Sequence, residues 1–469
     1  MTMNRLNAQA PLSEDVERPG YDRRSLKPGI VHIGVGAFHR AHQAIYTDDA
    51  LASAFGDWGI ISVSLRSTDI VKSLKDQDYL HSVTIRDQSG AKTKLVGSTV
   101  GAIAAAEDRE ALLLKLSDPA IRVVTLTVSE KAYGLDLKTG SLDTAHSAVA
   151  YDLADPESPV GVIGYLTEGL ARRRAAGHQP YTVLCCDNLP SNGHVVRRLV
   201  LEMASRRDAH LAKWIEEEGR FPSSMVDRIV PAGTQEVRVR AAEALGAWDD
   251  LALETEPFRQ WVIEDDFVSG RPAWDAGGAL FVSAVEPYEK MKLRLLNGSH
   301  SLIAYLGQLR GLEYVRDVMA VSEYREIVRR HMQAAKFTLD PVPGIDLDSY
   351  IEELIARFAN PEIAHRTAQI AMDGTQKLPQ RIFAAAVDAL AAGSDGDRFA
   401  YVTALWMAYV TRFEKIDDPR AQEVRQAALA GDGSSVSLFA VSGLFSPELK
   451  NNHDWRGKVD AHLKQILTG

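Results

Sequence analysis

Apolar positions fall into two regimes along the chain. Up to about residue 286, short β-branched runs alternate with helical stretches. Runs at 30–33, 59–65, 81–85, 94–98, 121–128, 181–186, 221–231, 261–267 and 280–284 read as strands. Amphipathic helices are predicted at 41–55, at 160–176 and from about residue 195. Ile121-Arg-Val-Val-Thr-Leu-Thr-Val128 is apolar and β-branched, as a parallel strand buried on both faces should be. Past residue 287 the strand signals stop. Helical periods take over at 290–309, 321–335, 347–359, 363–372, 379–392, 398–412 and 420–429, and a turn-rich segment closes the chain. Strands alternating with helices predict an α/β fold around a parallel sheet, followed by a mostly α-helical domain. The boundary is placed near 286, dividing 1–286 from 287–469.

The first strand enters a turn, Gly34-Val-Gly36-Ala-Phe38-His39, and a helix follows. That is the strand–turn–helix opening of a Rossmann-type dinucleotide-binding domain. Its glycines permit a tight turn and close backbone approach to a pyrophosphate. The third glycine of the usual fingerprint is replaced by His39. Arg66 and Asp69 follow the second strand, where such folds meet the adenosine ribose. Asp69 suits the ribose hydroxyls of NAD, and Arg66 a 2′-phosphate or the adenine face, so NADP stays open. The strand at 121–128 delivers Glu130 to the carboxyl edge of the sheet. The strand at 181–186 empties into Asp187-Asn188-Leu-Pro-Ser-Asn192-Gly193. Asn188 there is either a ligand for substrate or nicotinamide, or part of an Asx-turn, a role that Asn192 and Gly193 suit better.

Composition narrows the possibilities. A chain of 469 residues exceeds one typical core. A formal net charge of -10, with mixed signs, argues against a nucleic-acid binder. No apolar run reaches membrane-spanning length and the N-terminus lacks a signal core, so a cytoplasmic location with no membrane partner is expected. The only cysteines, Cys185 and Cys186, are adjacent, which excludes a disulfide framework and a cysteine-based zinc site within the chain. His39 and His42 with His300 are the nearest thing to a zinc set, and no ligand motif supports them; no metal is expected.

The richest chemistry lies in Lys292-Leu-Arg-Leu-Leu-Asn297-Gly-Ser-His300. On an α-helix, Asn297 falls about 140° and His300 about 80° from Lys292, over roughly 12 Å of axis. The three can then share one cleft. A lysine able to lose its proton, beside an amide and an imidazole, suits proton transfer to a carbonyl or hydroxyl oxygen.

Together these stretches resemble the polyol-specific long-chain dehydrogenase/reductase family, which includes mannitol and fructuronate oxidoreductases. The resemblance rests on Gly34-Val-Gly-Ala-Phe-His-Arg-Ala-His-Gln43, Ser129-Glu-Lys-Ala-Tyr-Gly134, Cys186-Asp-Asn-Leu-Pro-Ser-Asn-Gly193 and Phe221-Pro-Ser-Ser-Met-Val-Asp-Arg-Ile-Val-Pro231. Further matches are Glu256-Pro-Phe-Arg-Gln-Trp-Val-Ile-Glu264, the Lys292–His300 segment and Asp373-Gly-Thr-Gln-Lys-Leu-Pro-Gln-Arg381. It implies a metal-independent, NAD(P)-linked oxidoreductase, active as a monomer on a small sugar acid or polyol. Lys292 takes the position of the general acid/base, Asn188 and Asn297 those of its amide partners, and His300 that of a substrate-binding histidine. Asp227 falls near substrate and nicotinamide, and Lys377 on a substrate contact. The turn residues Gly34, Gly36, Phe38 and His39, with Arg66, Asp69 and Glu130, are the expected cofactor side. Gln369 stands where mannitol dehydrogenases carry arginine, which points to the fructuronate reductase branch. A ketouronate/aldonate pair is therefore expected, with fructose/mannitol as the alternative. A substrate carboxylate could be met by Lys377 or Arg381.

Overall fold

In the computed structural model, residues 3–469 are described except Gln88, Leu137 and Asp432. The chain forms two compact units, Met1–Glu286 and Pro287–Gly469. The first is organised on a five-stranded sheet in the order Thr99–Ala104, Gly59–Ser64, Pro28–Ile33, Val123–Leu126, Thr182–Cys185. All neighbours are parallel. Chain order reverses at the central strand, as in a doubly wound Rossmann sheet, and ligands meet such sheets at their carboxyl edge.

Both faces of the sheet are covered, and the period of two along each strand divides the side chains between two cores. Ile30, Ile60, Val123 and Leu184 face a cluster with Ala41, Ile45, Tyr46, Trp261 and Trp274. Val31, Ile33, Val63, Val124, Leu126 and Val183 face another with Leu112, Leu166, Tyr181 and Leu199. Adjacent Cys185 and Cys186 join opposite clusters, both as buried thiols. Two three-stranded sheets complete this unit. One orders Leu280–Val282, Gln260–Glu264 and Ser224–Asp227; the other orders Gly90–Val96, His81–Asp87 and Leu253–Thr255.

Two strands escape the sequence pattern. Thr99–Ala104 forms the outer edge of the parallel sheet, with Gly101, Ala102 and Ala104 among its six residues. Small residues fit there because a Cβ on Gly101 would come within 2.7 Å of Ile61 Cδ1. Leu253–Thr255 is only three residues long. The expected 41–55 helix also changes: Ala37–Ala41 stops, His42 leaves helical geometry (φ -129°, ψ -87°), and Gln43–Ser53 starts anew.

The second unit is helical. Gly298–Arg310 is buried from Gly298 through Gly307, and Asp397–Arg412 is buried over most of its surface, so both are core helices rather than amphipathic covers. The end of the chain departs from the expected turn-rich segment. It forms the helix His453–Thr468, packed on Asp397–Arg412. Asn452 caps it through Trp455 N, and Trp455, Val459, Leu463 and Ile466 supply its buried stripe. No helix among the described residues is long and apolar enough to cross a membrane.

Candidate active site

Each unit holds part of the candidate chemistry. In the first unit the parallel sheet brings four chain segments to one edge, immediately past Ile33, Ser64, Leu126 and Cys185. Gly34 N and Val35 N both donate to Val63 O, at 2.8 and 3.1 Å, and Thr127 N donates to Ile33 O at 2.9 Å. Gly34 has φ +107°, and a Cβ there would stand 2.1 Å from Thr127 O. Only glycine fits this turn. Gly36 serves another purpose: a Cβ on it would meet only Gly34 O, at 3.8 Å, so the backbone is open to close approach at the start of Ala37–Ala41. The turn can cradle a dinucleotide pyrophosphate.

Phe38 is half-buried and stacks on His42 with ring centroids 4.8 Å apart. The His39 ring is fully buried, stacked 3.3 Å from His32. Burial, chiefly, and then the neighbouring His32, His81, Arg40 and His42 hold its imidazole well below the ordinary pKa. His42 is also buried, with Nε2 on Gln260 O at 2.9 Å. Arg66 and Asp69 are exposed past the second strand, and Asp69 opens the helix Asp69–Asp76, where a carboxylate also favours the helix dipole.

Asp187 ties the two neighbouring edge loops together, a role that sequence reasoning did not assign. Its carboxylate accepts from Val128 N at 2.9 Å, Ser129 N at 3.2 Å and the Tyr133 hydroxyl at 2.6 Å. Burial raises its pKa, opposed by these hydrogen bonds. Ser129 is held at φ +81°, a conformation that side chains disfavour, and the exposed Glu130 follows it. The contacts thus set the backbone on which Glu130 and Asn188 stand. Asn188 is exposed, whereas Asn192 is fully buried and binds Asp187 O, Ser224 O and Ser224 N. Asn192 is thus an internal brace, whereas Asn188 stands at the exposed edge. Asp227 is buried at the end of Ser224–Asp227. Neighbouring Arg228 is structural: it donates to Ala41 O and Glu256 O from a buried position.

In the second unit, Lys292–Asn297 departs from the α-helix on which its angles were reckoned. It is a π-helix, and Gly298 N donates to Leu293 O, five residues back. The wider turn carries residues five apart towards the same side of the axis, so Lys292 and Asn297 align better than α-helical spacing allows. Lys292 is 8% exposed and His300 7%. A second π-helix, Pro379–Phe383, contains Arg381 and packs against the first. Gly298 permits that approach, since a Cβ there would lie 3.2 Å from Arg381 O and 3.3 Å from His331 Nε2. Arg381 Nη1 reaches Asn297 O at 3.5 Å and Ser301 Oγ at 3.4 Å, both long contacts. Lys377 lies on Gly374–Leu378, its Nζ 3.8 Å from Asp373, and is half-buried.

Burial pushes His300 well below the usual histidine pKa, and His365, Arg381, Arg357 and Lys292 push it the same way. The imidazole is neutral at neutral pH, and its surroundings are cationic. His365 and Arg357 carried no motif signal. Among the described residues, the one group with metal-ligand spacing is His194, Glu264 and Glu286, which includes none of these side chains.

Residues 28–276 match the mannitol dehydrogenase Rossmann domain and residues 284–467 the mannitol dehydrogenase C-terminal domain. The chain belongs to the mannitol dehydrogenase family. It is an oxidoreductase of that family with an N-terminal Rossmann domain. It is 42% identical to D-mannonate oxidoreductase of Escherichia coli, over 96% of each chain. It is 37% identical to mannitol 2-dehydrogenase of Aspergillus terreus, over 96% of this chain and 93% of that one. The solved mannitol 2-dehydrogenase of Pseudomonas fluorescens, a ternary complex with NAD and D-mannitol, shares 36% identity and superposes over 99% of both chains with a TM-score of 0.87.

Proposed function

We propose that this family member is an NAD-linked oxidoreductase interconverting a ketouronate and an aldonate, D-fructuronate and D-mannonate. The carrying observation is the cationic setting of His300, where Arg381, Arg357 and Lys292 act together in the second unit. A carboxylate-bearing substrate gains charge-assisted hydrogen bonds there that a neutral hexitol does not. Similarity to D-mannonate oxidoreductase over nearly the whole chain supports the same reading.

A bound nicotinamide supplies or accepts the hydride, and the chain's residues handle orientation and the proton. The turn at Gly34 and Gly36 holds the pyrophosphate, with Phe38, Arg66, Asp69 and Glu130 on the cofactor side. In reduction, the Lys292 ammonium donates its proton to the ketone oxygen. In oxidation, neutral Lys292 removes the hydroxyl proton as the hydride departs. Asn188 and Asn297 donate hydrogen bonds to that oxygen as negative charge develops on it. His300 fixes an adjacent hydroxyl, and Asp227, Lys377 and Arg381 bind the remaining substrate groups.

A second reading, D-fructose and D-mannitol, is favoured by the near-complete superposition on the mannitol 2-dehydrogenase complex. Steady-state kcat/KM for D-fructuronate and D-fructose, each with NADH and then NADPH, separates the two. Preference for D-fructuronate with NADH is expected. Preference for D-fructose overturns the sugar-acid assignment, and preference for NADPH overturns the cofactor assignment.

A further inference from the structure

His365 belongs to none of the motifs, yet it shares the environment of His300. It lies between the helices Leu347–Phe358 and Thr367–Ala371. Its backbone is anchored: Val315 N donates to His365 O at 3.0 Å, and Tyr314 bridges to Arg366. The ring therefore projects from a fixed point. It meets the His300 imidazole edge-on, with centroids 5.2 Å apart and planes at 84°. Phe358 packs on His300 at 4.5 Å.

Two buried ring nitrogens here, His300 Nε2 and His365 Nδ1, have no protein hydrogen-bond partner. Buried polar atoms without partners are rare, and each costs stability, so a pair on adjacent rings calls for a ligand. The charge around them selects its sign. Arg381, Arg357 and Lys292 all oppose protonation of His300, which marks the local field as positive. With His300 Nε2 met by the substrate hydroxyl, a ligand group that accepts from His365 Nδ1 and carries negative charge suits this field, and a carboxylate does so.

We propose that His365 is a specificity residue, donating a hydrogen bond from Nδ1 to the carboxylate of a sugar-acid substrate beside His300. This rests on the ketouronate/aldonate reading above and adds the residue that enforces it. A hexulose or hexitol offers only a hydroxyl at that point, so it loses little when the donor is removed.

The test compares kcat/KM for D-fructuronate and D-fructose in the wild type and in His365→Ala, His365→Phe and His365→Asn. The Phe variant keeps a ring against His300 without a nitrogen, and it carries the test should the Ala variant fail to fold. The Asn variant returns a donor at the Nδ1 position. Removing the donor should lower kcat/KM for D-fructuronate about 10- to 100-fold, mainly through KM, and that for D-fructose by less than about 3-fold. The Asn variant should recover part of the loss. Equal losses on both substrates, or an unchanged preference in folded Ala or Phe variants, overturn the proposal. A wild type that prefers D-fructose instead overturns the sugar-acid reading itself, so the two failures are distinct.

Discussion

The edge of the parallel sheet and the π-turn at Lys292 place functional side chains by different physical means. At the sheet edge, strands end together because their ladders are in register, and whatever follows Ile33, Ser64, Leu126 or Cys185 arrives there. Tolerance is low where backbones touch, as at Gly34, where a Cβ would lie 2.1 Å from a carbonyl oxygen. At Lys292 no ladder fixes the arrangement. The chain gives up α-helical hydrogen bonding for one turn, and packing against the second π-turn at Pro379–Phe383 accompanies the exchange. The first region exposes Asn188 and Glu130 at the ends of rigid elements; the second keeps Lys292 and His300 more than nine-tenths buried. Backbone recognition suits the open edge, and proton transfer suits the desolvated turn.

The sharpest division of labour is at Lys292. Lys292→Ala should lower kcat by about 10²- to 10⁴-fold while the NADH dissociation constant, measured by fluorescence titration, stays within about 3-fold. Comparable damage to NADH affinity would place the lysine on the cofactor side and dissolve the contrast. Next in size, Asn297→Ala and Asn188→Ala should each reduce kcat about 10²- to 10³-fold with smaller changes in KM, because their hydrogen bonds strengthen as the oxygen gains charge. A pure KM effect at either position would reassign that amide to ground-state binding.

A matched pair of glycine variants separates the regions by readout. Gly34→Ala combines positive φ with a backbone clash and should abolish measurable NADH binding or prevent folding. Gly298→Ala meets contacts of 3.2 and 3.3 Å and should cost about 1–3 kcal/mol in urea unfolding, with NADH binding retained and kcat reduced. Loss of cofactor affinity in Gly298→Ala, with turnover otherwise normal, would contradict the assignment.

Acid sensitivity is a further readout, shared by both units. Burial, the leading cause in each case, depresses His32 to about 3, His81 to about 3 and His331 to about 4. The unfolded chain takes up these protons near pH 6.5 and the folded one does not, so stability is fully present above that pH and declines below it. The decline steepens towards about 1.4 kcal/mol per pH unit for each histidine and continues to about pH 4 for His331 and about pH 3 for His32 and His81. Urea denaturation at pH 7.5, 6.0 and 5.0 reads this slope, and stability that is flat from 7.5 to 5.0 rules it out.

Local pattern was enough for the class of the fold and for most of its elements. β-Branched runs and glycine turns report the strands that lead to Gly34, Asn188 and Asp227, because a strand buried on both faces must be apolar and a tight turn must accept positive φ. The same information placed Lys292, Asn297 and His300 in one helical segment. It did not report the strand Thr99–Ala104, whose Gly101, Ala102 and Ala104 weaken the apolar pattern and where a Cβ on Gly101 would press on Ile61. Tertiary packing alone decided that His39 turns inward onto His32, that Lys292–Asn297 adopts a π-turn, and that His365 comes to lie against His300. Those outcomes depend on contacts between residues distant along the chain or on a changed hydrogen-bond register, and a periodicity of 3.6 or 2 carries neither.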